Sequence, residues 1–143
     1  FELVSDKLAE LVAGFRRPRR NKDSWVSFRA GPFGHFSVAF TPTAMRVEVY
    51  LDTGGREVTK AMFDELAADE QRWNKAVGEP LVFERLDNRR ASRICIYAER
   101  PDFADPDATQ NSAELAAARA ARFIAAFDNP LRELVARLQP GSA

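Results

Sequence analysis

The sequence predicts one α+β domain, a five-stranded and mostly antiparallel sheet in the order α-β-β-β-α-β-β-α with helices on one face. Three observations predict it. Short runs alternate apolar and polar residues with the period of a strand, and longer runs repeat apolar residues at helical spacing. Turn residues separate the runs, and no repeat or low-complexity linker divides the 143 residues. That length suits one domain.

Residues 1–15, FELVSDKLAELVAGF, set Phe1, Val4, Leu8, Leu11, Val12 and Phe15 on one side of a helix. RRPRRNKD follows as a basic connection whose proline stops that helix. SWVSFRA reads as a strand, GPFG as a turn, HFSVAFT as a second strand and AMRVEVYLDT as a third, together an antiparallel meander. Gly54 and Gly55 end it. Val58, Met62, Leu66, Trp73 and Val77 then recur as one helix, with Gly78 at its C-terminal cap and Pro80 preventing its resumption. LVFERL and SRICIYA read as two strands joined through DNRR. PDFADPD reads as a loop. A last long helix is predicted to start at Asn111, where Asn111 and Glu114 have capping-box spacing. Asp128, Asn129 and Pro130 are expected to break it before a short terminal helix. Phe36, Phe40, Val47, Val49, Phe63 and Trp73 are the expected core.

Composition narrows the function classes. Lys plus Arg and Asp plus Glu are both 21, so any nucleic-acid contact must come from a local patch. One cysteine, Cys95, excludes an internal disulfide or a thiolate metal cluster, and one histidine, His35, leaves no second imidazole for a zinc site. No apolar run approaches the ~20 residues that span a bilayer, and the sequence does not open on a signal-peptide pattern. A cytoplasmic protein without membrane contact is the expectation. The chain opens on Phe1 within an amphipathic pattern, so it reads as the C-terminal part of a longer protein.

Motifs for catalysis are weak. The pattern of a metal-dependent nuclease, Asp/Glu-x-Lys, does not occur, and Glu57 with Lys60 reads as a surface pair on a helix. His35 has no nucleophile beside it in any recognisable motif, and Cys95 between two isoleucines reads as a small packed residue. The glycines at 31, 34, 54 and 55 belong to turns; neither phosphate-loop pattern is present. No catalytic residue, metal or cofactor is therefore expected.

Two surfaces stand out. Arg16, Arg17, Arg19, Arg20 and Lys22 put five cations in seven residues, followed by Trp25, and Arg89 and Arg90 lie on the final hairpin. Such arginines hold phosphates while an aromatic stacks on a base; the alternative is a solvated, screened connection. The second surface follows from strand parity. With Val47, Val49 and Leu51 toward the helices, the opposite face carries His35, Arg46, Glu48, Tyr50, Arg93 and Tyr97, with Ser37, Ala39, Thr41 and Cys95. Tyrosine and arginine there suit a contact surface, whereas a half-exposed sheet with cross-strand ion pairs would give the same pattern.

The element order is similar to that of the type III secretion chaperone fold, a likeness of topology alone. The stretch RVEVYLDTGG, with AMFDEL and GEPLVFERLDNRRASRICIY beyond it, resembles an uncharacterised bacterial and archaeal domain family, a domain of unknown function. The resemblance covers residues 25–97 and is most specific at 47–53 and 83–92. That family commonly lies C-terminal to nuclease-like or defence-associated modules and has no established catalytic residues. The resemblance implies a recognition role beside a nuclease-type domain of the same parent chain, in restriction–modification or phage defence. The expected function is thus a non-catalytic domain that binds nucleic acid, DNA foremost, or senses substrate. The alternative is a homodimerisation or docking module without its own ligand.

Overall fold

The structure, a computed structural model, describes Asp6 and residues 25–139. Within residues 25–139 three strands come first: β1 (Trp25–Gly31), β2 (Gly34–Phe40) and β3 (Ala44–Leu51). Helices α1 (Arg56–Ala67) and α2 (Glu70–Val77) follow, then β4 (Val82–Glu84), β5 (Ser92–Glu99) and α3 (Pro106–Leu138). The sheet runs β1-β2-β3-β5-β4, and every neighbouring pair is antiparallel. The expected α+β class and five-stranded sheet are therefore present. The helix expected over residues 1–15 and the basic connection after it lie, apart from Asp6, outside the described residues.

Strand parity builds the core. Met45, Val47, Val49 and Leu51 of β3 are all buried, beside Phe36 and Val38 of β2 and Ile94 and Ile96 of β5. The helices cover this side. α3 buries Ala113, Ala116, Ala117 and Ala120 and then Phe123, Phe127 and Leu131, while α1 and α2 add Met62, Phe63, Leu66, Trp73 and Val77. The indole of Trp73 stacks on Phe127 with ring centroids 4.9 Å apart. Of the expected core, Phe40 alone is partly buried, set edge-to-face against Phe103.

One bulge fixes how α3 meets the sheet. Ser27 faces Ser37 but Arg29 faces Phe36, so β1 carries one extra residue there, Phe28. Phe28 stacks on Phe36, and Arg29 is turned to the helix side, where its Nε and Nη2 each donate to Asp128 at 3.0 Å. Those bonds hold the Asp128 carboxyl below the usual carboxylate range, against its burial and with help from Arg132.

The structure corrects four sequence expectations. Residues 56–77 form two helices, broken at Ala68 and Asp69, instead of one. α3 starts at Pro106, not Asn111, because Asp105 caps it by accepting from the backbone N–H groups of Asp107 and Ala108, and proline suits the first helical turn. It also runs through Pro130. A proline there forfeits one backbone bond and costs about 3 kcal/mol, but Phe127, Asp128, Leu131, Leu134 and Val135 anchor both sides of it. The turn GPFG is more than a turn, since Phe33 is fully buried and packs edge-on to Phe36. Gly34 beside it has φ +126°, and a Cβ there would lie 2.0 Å from the Tyr50 carbonyl oxygen.

Phe127→Ala should cost about 3–5 kcal/mol through lost transfer energy and an unfilled cavity, a large share of the ~5–15 kcal/mol that holds a domain together. Thermal unfolding checks it. An unchanged melting temperature would mean that α3 does not close the core.

Candidate functional site

The same alternation that builds the core assembles a second face of the sheet in cross-strand rows. His35, Tyr50, Arg93 and Glu84 form one row across β2, β3, β5 and β4. Ser37, Glu48, Cys95 and Val82 form the next, and Ala39, Arg46 and Tyr97 a third. The backbone of β1 extends these rows with Ser27 and Trp25.

Glu48 sits at the middle of this face, only 4% exposed. A carboxylate withdrawn from water needs cations and donors around it. Ser37 Oγ donates to its Oε1 at 3.0 Å, and its Oε2 lies 3.2 Å from Arg46 Nε and 3.6 Å from Arg93 Nε. A second carboxylate stands beside it. Glu84 Oε1 accepts from Arg93 Nε at 2.9 Å, from the Cys95 thiol at 3.2 Å and from the Tyr97 hydroxyl at 2.6 Å. Burial opposes the charge on Glu84, but these three donors outweigh it and hold the carboxyl below its ordinary value. Burial, and then the Glu84 carboxylate, push both Cys95 and Tyr97 up to about 12. The thiol therefore stays protonated and acts as a donor.

A groove of about 470 Å³ opens on this face. Arg46, Arg89 and Arg93 line it against one carboxylate, Glu48, with the ring pair His35–Tyr50 and the apolar residues Ala39, Phe40 and Pro42. The imidazole of His35 and the phenol ring of Tyr50 stack at 5.2 Å and 22°. Burial pushes the His35 imidazole below its usual value, against the pull of Glu48 and Asp52. Arg46 and Arg93 are mostly sheltered and held by glutamates, whereas Arg89 is exposed and its guanidinium pairs with no carboxylate among the described residues.

The loop that carries Arg89 is held in shape from α1. Lys60 reaches out of the helix to donate to the carbonyls of Arg85, Leu86 and Ala91, and to Ser92 Oγ at 2.9 Å. Arg56 donates to the carbonyls of Asp87 and Arg89 at 2.6 Å each. Burial, with Arg56 and Arg85 nearby, pushes the Lys60 ammonium below its ordinary value. Lys60 is thus not the surface partner of Glu57 that the sequence suggested: it is 5% exposed. Backbone carbonyls that no pattern of side chains announces are its partners.

The structure brings His35, Arg46, Glu48, Tyr50, Arg93 and Tyr97 onto one face, and adds Arg89 to five of them as neighbours around the groove. Arg90 goes elsewhere, forming a two-bond pair with Asp52 at 2.8 and 2.9 Å. Of Trp25 the structure describes the strand backbone. Arg16, Arg17, Arg19, Arg20 and Lys22 lie outside the described residues. Glu84 was missed in the sequence. Parity with the inward Phe83 places it opposite Arg93 once the pairing of β4 with β5 is known. Among the described residues no helix is long and apolar enough to cross a membrane, and no group of three or more His, Cys, Asp or Glu could hold a metal.

A domain of unknown function, DUF4268, matches residues 5–131. The chain belongs to that family. No curated protein and no solved structure matches it. The match spans the whole sheet and most of α3, so the groove and every residue around it lie within the DUF4268 domain.

Cys95 should resist alkylation in the folded DUF4268 domain at about pH 8, where an ordinary cysteine with pKa ≈ 8.5 is partly ionised, and react fully once denaturant unfolds the chain. Rapid stoichiometric labelling of the folded protein would refute the thiol–Glu84 arrangement. Acid titration checks the carboxylate. Because Glu84 is depressed in the folded state, its contribution is complete above the unfolded value of about 4.3 and lost as pH falls below it. Glu84→Gln should therefore lower the melting temperature at neutral pH and flatten its decline on acidification. A variant whose melting temperature falls with pH in parallel with the parent would remove Glu84 from that account.

Proposed function

We propose that the domain is a non-catalytic recognition module that binds nucleic acid, DNA foremost, on behalf of a nuclease-type domain of the same parent chain. The observation that carries this reading is the groove, where three guanidiniums and a stacked aromatic pair converge against one carboxylate. Arginines meet phosphates and an aromatic ring meets a base, in the combination that strand-binding surfaces use. Its carboxylates are also committed: Glu48 to Ser37 and Arg46, Glu84 to Arg93, Cys95 and Tyr97. That arrangement favours holding a surface together over activating water or a metal. The resemblance of residues 25–97 to a family found beside nuclease-like and defence-associated modules supports a bacterial or archaeal, cytoplasmic setting in restriction–modification or phage defence.

A second reading, a homodimerisation or docking module, is favoured by the exposure of Val82 (42%) and Tyr97 (40%) beside the three-residue edge strand β4. Sedimentation of the purified domain distinguishes it by mass.

Fluorescence anisotropy with labelled DNA, titrated from about 50 to 200 mM salt, tests the first reading. The affinity should fall with salt. Arg89→Gln should weaken binding to all sequences alike and flatten the log–log slope by about 1, with the melting temperature unchanged because Arg89 is exposed. No detectable binding at low salt, with the domain folded, would overturn the proposal.

A further inference from the structure

We infer that the groove takes unpaired nucleotides of a single strand, laid along β2 and β3, and does not take a duplex. This rests on the nucleic-acid reading above and specifies the form of its ligand. Shape is the first support. Reading a duplex requires an element that projects, a helix or a two-stranded ribbon entering a major groove about 12 Å wide. The three helices within the described residues 25–139 lie on the other side of this sheet, and the cations here line a recess. A recess of about 470 Å³ falls within the roughly 300–1,000 Å³ of small-ligand sites. A base must leave its stack to enter such a space, and a single strand offers it without unpairing.

The distribution of chemistry along the groove is the second support. Row by row, the groove runs from the His35–Tyr50 pair to Ala39 and the Phe40–Pro42 corner, six residues along β2 at about 3.4 Å each. Rings therefore stand at one end and a small apolar corner at the other. Arg93 shares the row of His35 and Tyr50, Arg46 shares the row of Ala39, both approach Glu48 in the row between them, and Arg89 lies at the rim. Each end thus sets a cation beside a surface on which a base can rest, as a neighbouring base and phosphate of an extended strand require.

The third support is readiness. The loop bearing Arg89 is fixed by Lys60 and Arg56, and Arg46 and Arg93 are fixed by glutamates. Little conformational freedom is lost when a ligand arrives.

The test uses fluorescently labelled single-stranded DNA, its blunt duplex, and an abasic strand of equal length, each bound to the parent domain and to Tyr50→Ala and Tyr50→Phe. The single strand should bind at least tenfold more tightly than the duplex. Tyr50→Ala should lose roughly tenfold for the single strand, as stacking on one base requires, while Tyr50→Phe keeps the ring and the affinity. The abasic strand should bind the parent domain as weakly as the intact strand binds Tyr50→Ala. That comparison needs no variant, so it stands even if Tyr50→Ala unfolds. Duplex binding equal to or tighter than single-strand binding, or an abasic strand bound as well as the intact one, would overturn the inference and leave nucleic-acid recognition standing. Absence of binding to every probe would overturn both.

Discussion

A glutamate buried in the middle of a sheet face dictates much of what surrounds it. Taking the Glu48 carboxylate out of water is costly unless cations and donors replace the lost hydration, and removing one partner of such a buried pair costs about 3–5 kcal/mol. The sheet supplies those partners from three strands: Ser37 from β2, Arg46 from β3 itself and Arg93 from β5. Arg93 then draws in Glu84, and Glu84 draws in Cys95 and Tyr97. One buried charge thus organises a connected polar layer over β2, β3, β5 and β4. The groove is the part of that layer where cations outnumber carboxylates.

The other side of the sheet works by a different principle. Alternating apolar residues meet the helices there, and the few polar contacts act as fasteners. Arg29 and Asp128 tie the bulged strand β1 to α3, while Lys60 and Arg56 tie α1 to the 85–91 loop. Each fastener joins segments far apart in the chain. The Lys60 contacts have a consequence beyond stability, because the same loop presents Arg89 to the groove. A helix on the core side thereby positions a side chain on the binding side.

Much of this was legible in the sequence. Period-two runs located β1, β2, β3 and β5, and the parity of RVEVYL alone put Arg46, Glu48 and Tyr50 on the face away from the core. What was less legible had physical reasons. Pro130 reads as a breaker, yet the buried residues around it offset a missing backbone bond. Phe33 reads as part of a turn, yet it is a core residue, since a two-residue connection between strands can still aim one side chain inward. Lys60 reads as a surface lysine because its partners are carbonyl groups, and every sequence has those.

By itself, then, the sequence determined which residues share a face, because alternation along a strand is a local property of the backbone. It determined the fold class for the same reason, through the two periods that separate strands from helices. Tertiary structure decided which of those residues become neighbours. The pairing of β3 with β5 sets Arg93 beside Tyr50, and the edge position of β4 sets Glu84 beside Arg93. The staple from α1 decides that Arg89 lines the groove while Arg90, one residue on, turns to Asp52. Strand order and loop shape arise from long-range contacts, and no local pattern encodes the distance between two residues forty positions apart.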